Sequence, residues 1–380
     1  MTQLLLKKIL LTLVFFISFN VFSQYYKLTD NAKISVLTCG SGNELYSIYG
    51  HTGIRILDVA NNLDIVYNYG NFDFRTENFY LKFVKGDLRY FVSACSFQDF
   101  MYEYKETNRQ VWEQNLLISD LQKQQLFDKI NSSLFSDEKF YTYKFIDKNC
   151  TTMVLDKVND IFGSKIVTKK TNTDVSYRTV LYSFLDNHFW ENFGINIIFG
   201  HKVDNDATKL FLPEELMNNI STSKLNNKPI AEKAIVLNKK NSEVRNFSFW
   251  NSIYPYCIFL ILIVLLNKKT ISIIYFSILG LIGVFFSSVF MYSQHEEIYW
   301  NYNVLLFNPS LLILVYFMIK RIQNWIQKLC YFNLGCLGIY ILILINKVHF
   351  VMMAPMILCS GIILYRIIIL EKRKLLTTIK

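Results

Sequence analysis

Hydrophobic and polar positions divide this chain into three regimes. At the start, Lys7 and Lys8 precede a largely apolar run over residues 9–22, which ends in Val21-Phe22-Ser23 before Gln24. A short apolar core behind lysines and ahead of a modest-residue cleavage site has the form of a secretory signal, and it is brief for a spanning helix. In the last third, apolar runs cover roughly 250–266, 271–292, 304–319, 329–346 and 350–370, each near the length that crosses the hydrocarbon of a bilayer. Residues 24–249 carry the shorter periods of a globular domain. The β-branched and aromatic runs 34–39, 53–59 and 63–69 predict strands, and 58–62 predicts the hairpin connection between the last two. Helical spacing predicts helices around 97–109 and over 119–134, the second capped by Ser119 or Asp120. Another helix starts at Asp147 or Asn149, turns Val154, Val158 and Ile161 to one face, and stops at Gly163. Strands in one block and helices in another predict an α+β domain. Residues 221–249, polar and rich in Asn, Lys and Ser, read as a linker of loop or weak strands leading to the first span. The expected division is therefore a signal at 1–23, a domain at 24–220, a linker at 221–249, five spans over 250–370 and a tail at 371–380.

Charge gives this division an orientation. The chain carries a net charge of +10, yet residues 24–249 hold 27 basic against 27 acidic side chains. The excess sits at Lys7, Lys8 and beyond residue 249. A neutral folded domain argues against nucleic-acid binding, which needs a basic face. Three loops of the membrane region are basic: Asn267-Lys-Lys-Thr270, 320–328, and the tail Glu371-Lys-Arg-Lys374. The alternating loops 293–303 and 346–349 hold one lysine between them. With residue 249 outside, every basic loop falls in the cytoplasm, as the positive-inside rule requires. The domain at 24–220 is thus expected outside the cytoplasm, on a cytoplasmic (inner) membrane.

Two short elements carry candidate chemistry. Tyr46-Ser-Ile-Tyr-Gly-His51-Thr-Gly-Ile-Arg55 sets a histidine at the head of a strand, between two glycines that allow close approach. Lys148-Asn-Cys150-Thr-Thr sets a cysteine in the first turn of a helix, where the macrodipole favours thiolate and free N–H groups can receive an oxyanion. Folding that joins them makes a thiol nucleophile and its base. Asn68 or Asp64, on the strand paired with that of His51, could orient the imidazole. Arg55, on the face of His51, could meet a phosphate or carboxylate or form an ordinary ion pair. His295 and Glu296, in an outside loop, would lie close to a lipid handled at the membrane surface; Trp300 and Tyr302 in the same loop suit an interfacial belt. Cys39, Cys95 and Cys150 are an odd number of thiols outside the cytoplasm, so at least one stays free or pairs elsewhere; Cys39–Cys95 is one allowed pairing. No HExxH-type metal motif or glycine-rich phosphate loop is present.

The His51 and Cys150 segments, together with Tyr67-Asn-Tyr-Gly-Asn-Phe-Asp-Phe74, Phe193-Gly-Ile, Gly200, Asp204 and Phe211-Leu-Pro-Glu-Glu-Leu-Met217, resemble the Lnb-type lipoprotein N-acyltransferase family. In the membrane region His295, Trp300-Asn-Tyr-Asn303 and Asn308-Pro309 carry the resemblance. It implies a permuted NlpC/papain-like extracytoplasmic domain, in which the histidine strand precedes the cysteine helix, followed by an all-α domain of five transmembrane helices. It also implies transfer of an acyl chain from a glyceryl ester to the N-terminal cysteine amine of a bacterial lipoprotein, without a cofactor. Cys150 would be the nucleophile and His51 the base, with Asn68 as the expected third member. Tyr46, Arg55, Asn149 and His295 are the expected substrate-binding residues. The acyl donor is either the same lipoprotein or a phospholipid. Two other readings fit the residues less fully: a membrane-tethered NlpC-type cysteine peptidase or amidase acting on cell-wall peptide, and a non-enzymatic membrane scaffold.

Overall fold

A computed structural model of the chain describes residues 26–186, 188–241 and 247–378. The expected signal at 1–23 lies outside the described residues. The N-terminal half is built on one antiparallel sheet of seven strands. Along the chain come β1 (Lys33–Cys39), β2 (His51–Asp58), β3 (Leu63–Asn71), α1 (Phe79–Lys85), β4 (Arg89–Ser96), α2 (Phe97–Glu106), β5 (Val111–Asn115), α3 (Asp120–Phe135), β6 (Phe140–Thr142) and α4 (Cys150–Ile161). Then follow α5 (Tyr177–Tyr182), α6 (Phe189–Ile198), α7 (Pro213–Thr222), a two-strand hairpin of β7 (Lys224–Leu225) with β8 (Lys228–Pro229), and β9 (Ile235–Asn238). The spatial order is β6-β4-β3-β2-β1-β5-β9. Strands and helices interleave along the chain instead of forming separate blocks. The domain is nevertheless α+β, because every strand pair is antiparallel and needs no crossover helix.

Alternation along the strands divides the core in two. Ile34, Val36, Ile54, Ile56, Tyr67 and Tyr69 face Leu126, Ile130, Val154 and Val158 of α3 and α4. On the opposite face Leu37, Cys39, Val66 and Val111 meet Phe100, Met101 and Tyr104 of α2. Side chains at i and i+2 share a face, so β1 serves both layers. The stretch expected to be a linker contributes β9, which pairs with β5 at the sheet edge.

The C-terminal part is helical: α8 (Ile253–Leu266), α9 (Lys269–Val289), α10 (Ser310–Lys320), α11 (Gln323–Leu344) and α12 (Phe350–Thr378). Four segments, among them Glu296–Lys320 with α10 as its helical end, are long and apolar enough to cross a membrane; α8 is apolar but has 14 residues. Ser252 caps α8 through the Tyr254 N–H, which removes the first residues of the 250–266 run from the helix. The N-terminal domain rests on the two loops of low basic charge, 290–309 and 345–349. Gly200 N–H donates to Glu297 O at 2.7 Å, and Asn303 Nδ2 donates to the carbonyls of Asn196 and Ile197. Lys347 pairs with Asp204 at 3.0 Å.

Candidate active site

Cys150 is the first residue of α4, and the helix start is held from three sides. Asn149 Oδ1 accepts from the Thr152 N–H at 2.9 Å while the Thr152 hydroxyl accepts from the Asn149 N–H at 2.8 Å, closing a capping box. The Asn149 amide donates to the carbonyls of Phe145 and Phe211, at 2.8 and 2.9 Å. The polar run 147–152 thus becomes a rigid cap, which fixes the thiol where the helix dipole is positive.

His51 is delivered by a backbone that only glycine tolerates. Gly50 has φ 83°, and a Cβ there would stand 2.5 Å from the Cys39 carbonyl. Asn68 lies opposite Gly53 in the β2–β3 ladder, on the face that carries His51. His51 Nε2 donates to Asn68 Oδ1 at 3.0 Å, which leaves Nδ1 for the side of Cys150, whose charge acts on the imidazole. Beyond Asn68 the ladder shifts register and Gly70 turns to φ 89°; a Cβ on it would lie 3.7 Å from that of Cys150. The bend keeps β3 from covering the thiol.

The surroundings favour a charged pair. Burial pushes the Cys150 thiol up, but the charge and hydrogen bond of His51 and the Thr52 backbone N–H outweigh it, holding the thiol below its ordinary range. Burial pushes His51 down, and there the charge of Cys150 and the bonds to Cys150 and Asn68 win, raising the imidazole above its usual value. The Thr151 hydroxyl, 3.9 Å from the sulfur, is bonded to the Thr52 hydroxyl at 3.1 Å. A thiol shifted toward its thiolate, an imidazole beside it and a helix N-terminus are parts that nucleophilic catalysis uses.

The other expected residues separate. Arg55 is held by Asp64 through two bonds, 2.7 and 2.8 Å, and by Glu113 at 3.1 Å, with its guanidinium over the Phe97 ring. It is an ion pair of the sheet face, with its donors engaged, and does not join the dyad. Asn149 caps the helix and has no donor left for a substrate, so its role is positional. Tyr46 is exposed and meets Phe72 edge-on at 6.4 Å. His295 is not beside the dyad; its Nε2 donates to the Phe83 carbonyl at 2.7 Å and its ring packs on Phe83. Glu296 bonds Lys144 and Lys202. Trp300 is exposed, as an interfacial residue would be, whereas Tyr302 stacks on His349 within the molecule.

Three features were not anticipated. The Thr52 backbone N–H lowers the Cys150 pKa, an effect implicit in its place beside His51. Tyr143 stacks on Tyr90 at 4.5 Å beside the thiol. From there Phe72, Phe74 and Phe79 continue as a ledge to Phe83 and His295, with Phe74, Tyr80 and Leu81 exposed. Sequence offered only scattered aromatics here, because the ledge is assembled from three segments. Cys39 and Cys95 are both free; they lie on β1 and β4, with β2 and β3 between them, about 14 Å apart at the usual strand spacing and beyond disulfide reach.

Residues 20–182 match the Lnb N-terminal periplasmic domain, and residues 256–375 match the Lnb transmembrane domain. No curated protein and no solved structure matches the chain. The two matches take in the cysteine helix, the histidine strand and all but the first turn of the apolar helices, and they occur in the order of the two structural halves. The chain belongs to the Lnb family, as a multi-pass membrane protein with an N-terminal periplasmic domain.

Proposed function

We propose that this protein is a thiol acyltransferase that N-acylates the N-terminal cysteine of bacterial lipoproteins through a Cys150 thioester. The observation that carries the reading is the Cys150–His51–Asn68 constellation at one end of an aromatic ledge whose other end touches the membrane domain at His295. A soluble peptide substrate has no need of that ledge, whereas an acyl chain lifted from a bilayer needs apolar cover along its route.

The chemistry follows from the atoms present. Thiolate Cys150 attacks the carbonyl carbon of a glyceryl ester, and the α4 N-terminus faces the oxyanion that forms. The C–O bond breaks as imidazolium His51 gives its proton to the departing glyceryl oxygen, leaving a thioester and a lyso lipid. The free α-amine of the lipoprotein cysteine then attacks the thioester. Neutral His51 takes a proton from that amine, the C–S bond breaks, and the thiolate returns. Asn68 holds the imidazole through both steps. Water would divert the thioester to hydrolysis, so the Tyr143 and Tyr90 rings beside the thiol matter to yield as well as to binding. The donor lipid is the lipoprotein itself or a phospholipid.

The test is mass spectrometry of lipoprotein N-terminal peptides from cells carrying wild type, Cys150→Ser, or neither. N-acylated peptides should be present only with the wild type. Unchanged N-acylation in both other strains would sink the proposal, and altered muropeptides with intact lipoproteins would point to cell-wall hydrolysis.

A further inference from the structure

At the end of the membrane domain opposite the N-terminal domain, a cavity of about 470 Å³ opens between α9, α10, α11 and α12. Four cations line it from three different helices or their ends: Lys269 opens α9, Arg321 closes α10, and Arg366 and Lys374 come from α12. The single carboxylate present, Glu371, is bonded to Lys374 at 2.5 Å. That leaves three cations facing the cavity, and among the described residues Lys269 and Arg321 have no carboxylate partner. Arg366 is fixed in place, with Nη1 donating to the Val264 carbonyl in the last turn of α8 at 2.5 Å and its other nitrogens left over. Deeper in, the wall is apolar: Met318, Ile326, Ile363 and Ile367.

Basic residues at the cytoplasmic ends of spans are ordinary, and by themselves set only orientation. These differ because they converge on one cavity with a polar mouth and an apolar floor. A fixed guanidinium, two unpaired cations and hydrocarbon-like walls match a phosphodiester attached to acyl chains. We propose that this cavity binds the phosphate headgroup of an anionic phospholipid from the cytoplasmic leaflet, with the acyl chains running along the Ile363–Ile367 face. The site stands on the membrane domain alone and does not depend on the acyl-transfer reading.

The test uses the purified full chain in bilayer discs of equal phosphatidylglycerol and phosphatidylethanolamine, followed by native mass spectrometry of retained lipid. Wild type should keep phosphatidylglycerol in preference. The double variant Lys269→Gln/Arg321→Gln, whose side chains are exposed and make no internal bond, should lower that retention by about 30-fold. Arg366→Gln should lower it further, with its thermal unfolding followed in parallel because it also releases the α8 carbonyl. The control Lys328→Gln/Lys372→Gln removes exposed cations outside the cavity and should leave retention unchanged. Equal loss in the control would overturn the site in favour of diffuse attraction to the leaflet. Equal retention of the two lipids would overturn it as well. So would displacement of the lipid by millimolar inorganic phosphate, which would make this a site for the free anion.

Discussion

Two polar centres of this molecule use similar atoms and treat them differently. At the joint between the domains, Arg178 gives Nε to Asp204 at 2.6 Å and its remaining nitrogens to Asn196, Phe199 and Gly200, while Lys347 reaches Asp204 from the membrane side. Both members of the Arg178–Asp204 pair are almost fully buried, and Asp204, pushed up by burial, is held below the usual carboxylate range by the two cations. The Cys150–His51 pair is half-buried, each member has few partners, and the cysteine lies beside Gly70, which carries no side chain to crowd it. Saturation makes the joint inert and stiff. Under-coordination leaves the dyad free to exchange its contacts with a substrate, and its position depends on the cap at Asn149 and the bond to Asn68 instead of on its own bonding.

The comparison can be broken at either end. Cys150→Ser should lower acyl transfer by about 10³-fold or more with no change in thermal unfolding; a large fall in stability would show that the thiol is structural. Asp204→Ala should do the reverse, costing about 3–5 kcal/mol because Arg178 is left buried and unpaired, read as a drop in the unfolding midpoint of the detergent-solubilised protein. Asn68→Ala removes a hydrogen bond to an imidazolium and should reduce transfer by about 10- to 100-fold; wild-type rates would deny Asn68 its orienting role.

The pair also has a pH signature. Thiolate forms as pH rises past the lowered pKa of Cys150, and imidazolium is lost as pH rises past the raised pKa of His51, so activity should peak between the two. In His51→Ala only burial and minor bonds act on the sulfur, and the midpoint for Cys150 alkylation by iodoacetamide should move to higher pH. Cys39, buried and pushed up to about 12, is the silent internal control. The smallest effect is expected for Arg55→Gln: about 1–2 kcal/mol of stability, because Glu113 loses its partner while largely buried, and unaltered lipoprotein N-acylation. A loss of transfer there would return Arg55 to the substrate path.

What was legible in the sequence depended on how local the cause was. The α4 start followed from Asn149 and Thr152, three residues apart, and the β2–β3 pairing from the hairpin at 58–62, which is why Asn68 could be named as the partner of His51. β4, β5 and β6 went unseen because their pairings join segments far apart in the chain, and β9 was anticipated only as one of the weak strands allowed within 221–249. Arg55 shows the limit of face reasoning. Its strand position gave its direction, but not the convergence of Asp64 from β3 and Glu113 from β5. His295 was assigned to the membrane surface, and no sequence pattern disclosed that the Phe83 carbonyl on α1 would take its ring nitrogen.

The edge strand β9 has a mechanical consequence. Ile235–Asn238 is hydrogen-bonded into the sheet edge, so the sheet holds the chain as far as Asn238 before α8 begins at Ile253. With Lys347 pairing with Asp204 at the joint, Cys150 is held at one height relative to the apolar helices. Under the acyl-transfer proposal the domain is thereby a depth gauge, suited to groups that the membrane itself presents at that level and not to those that lie farther away.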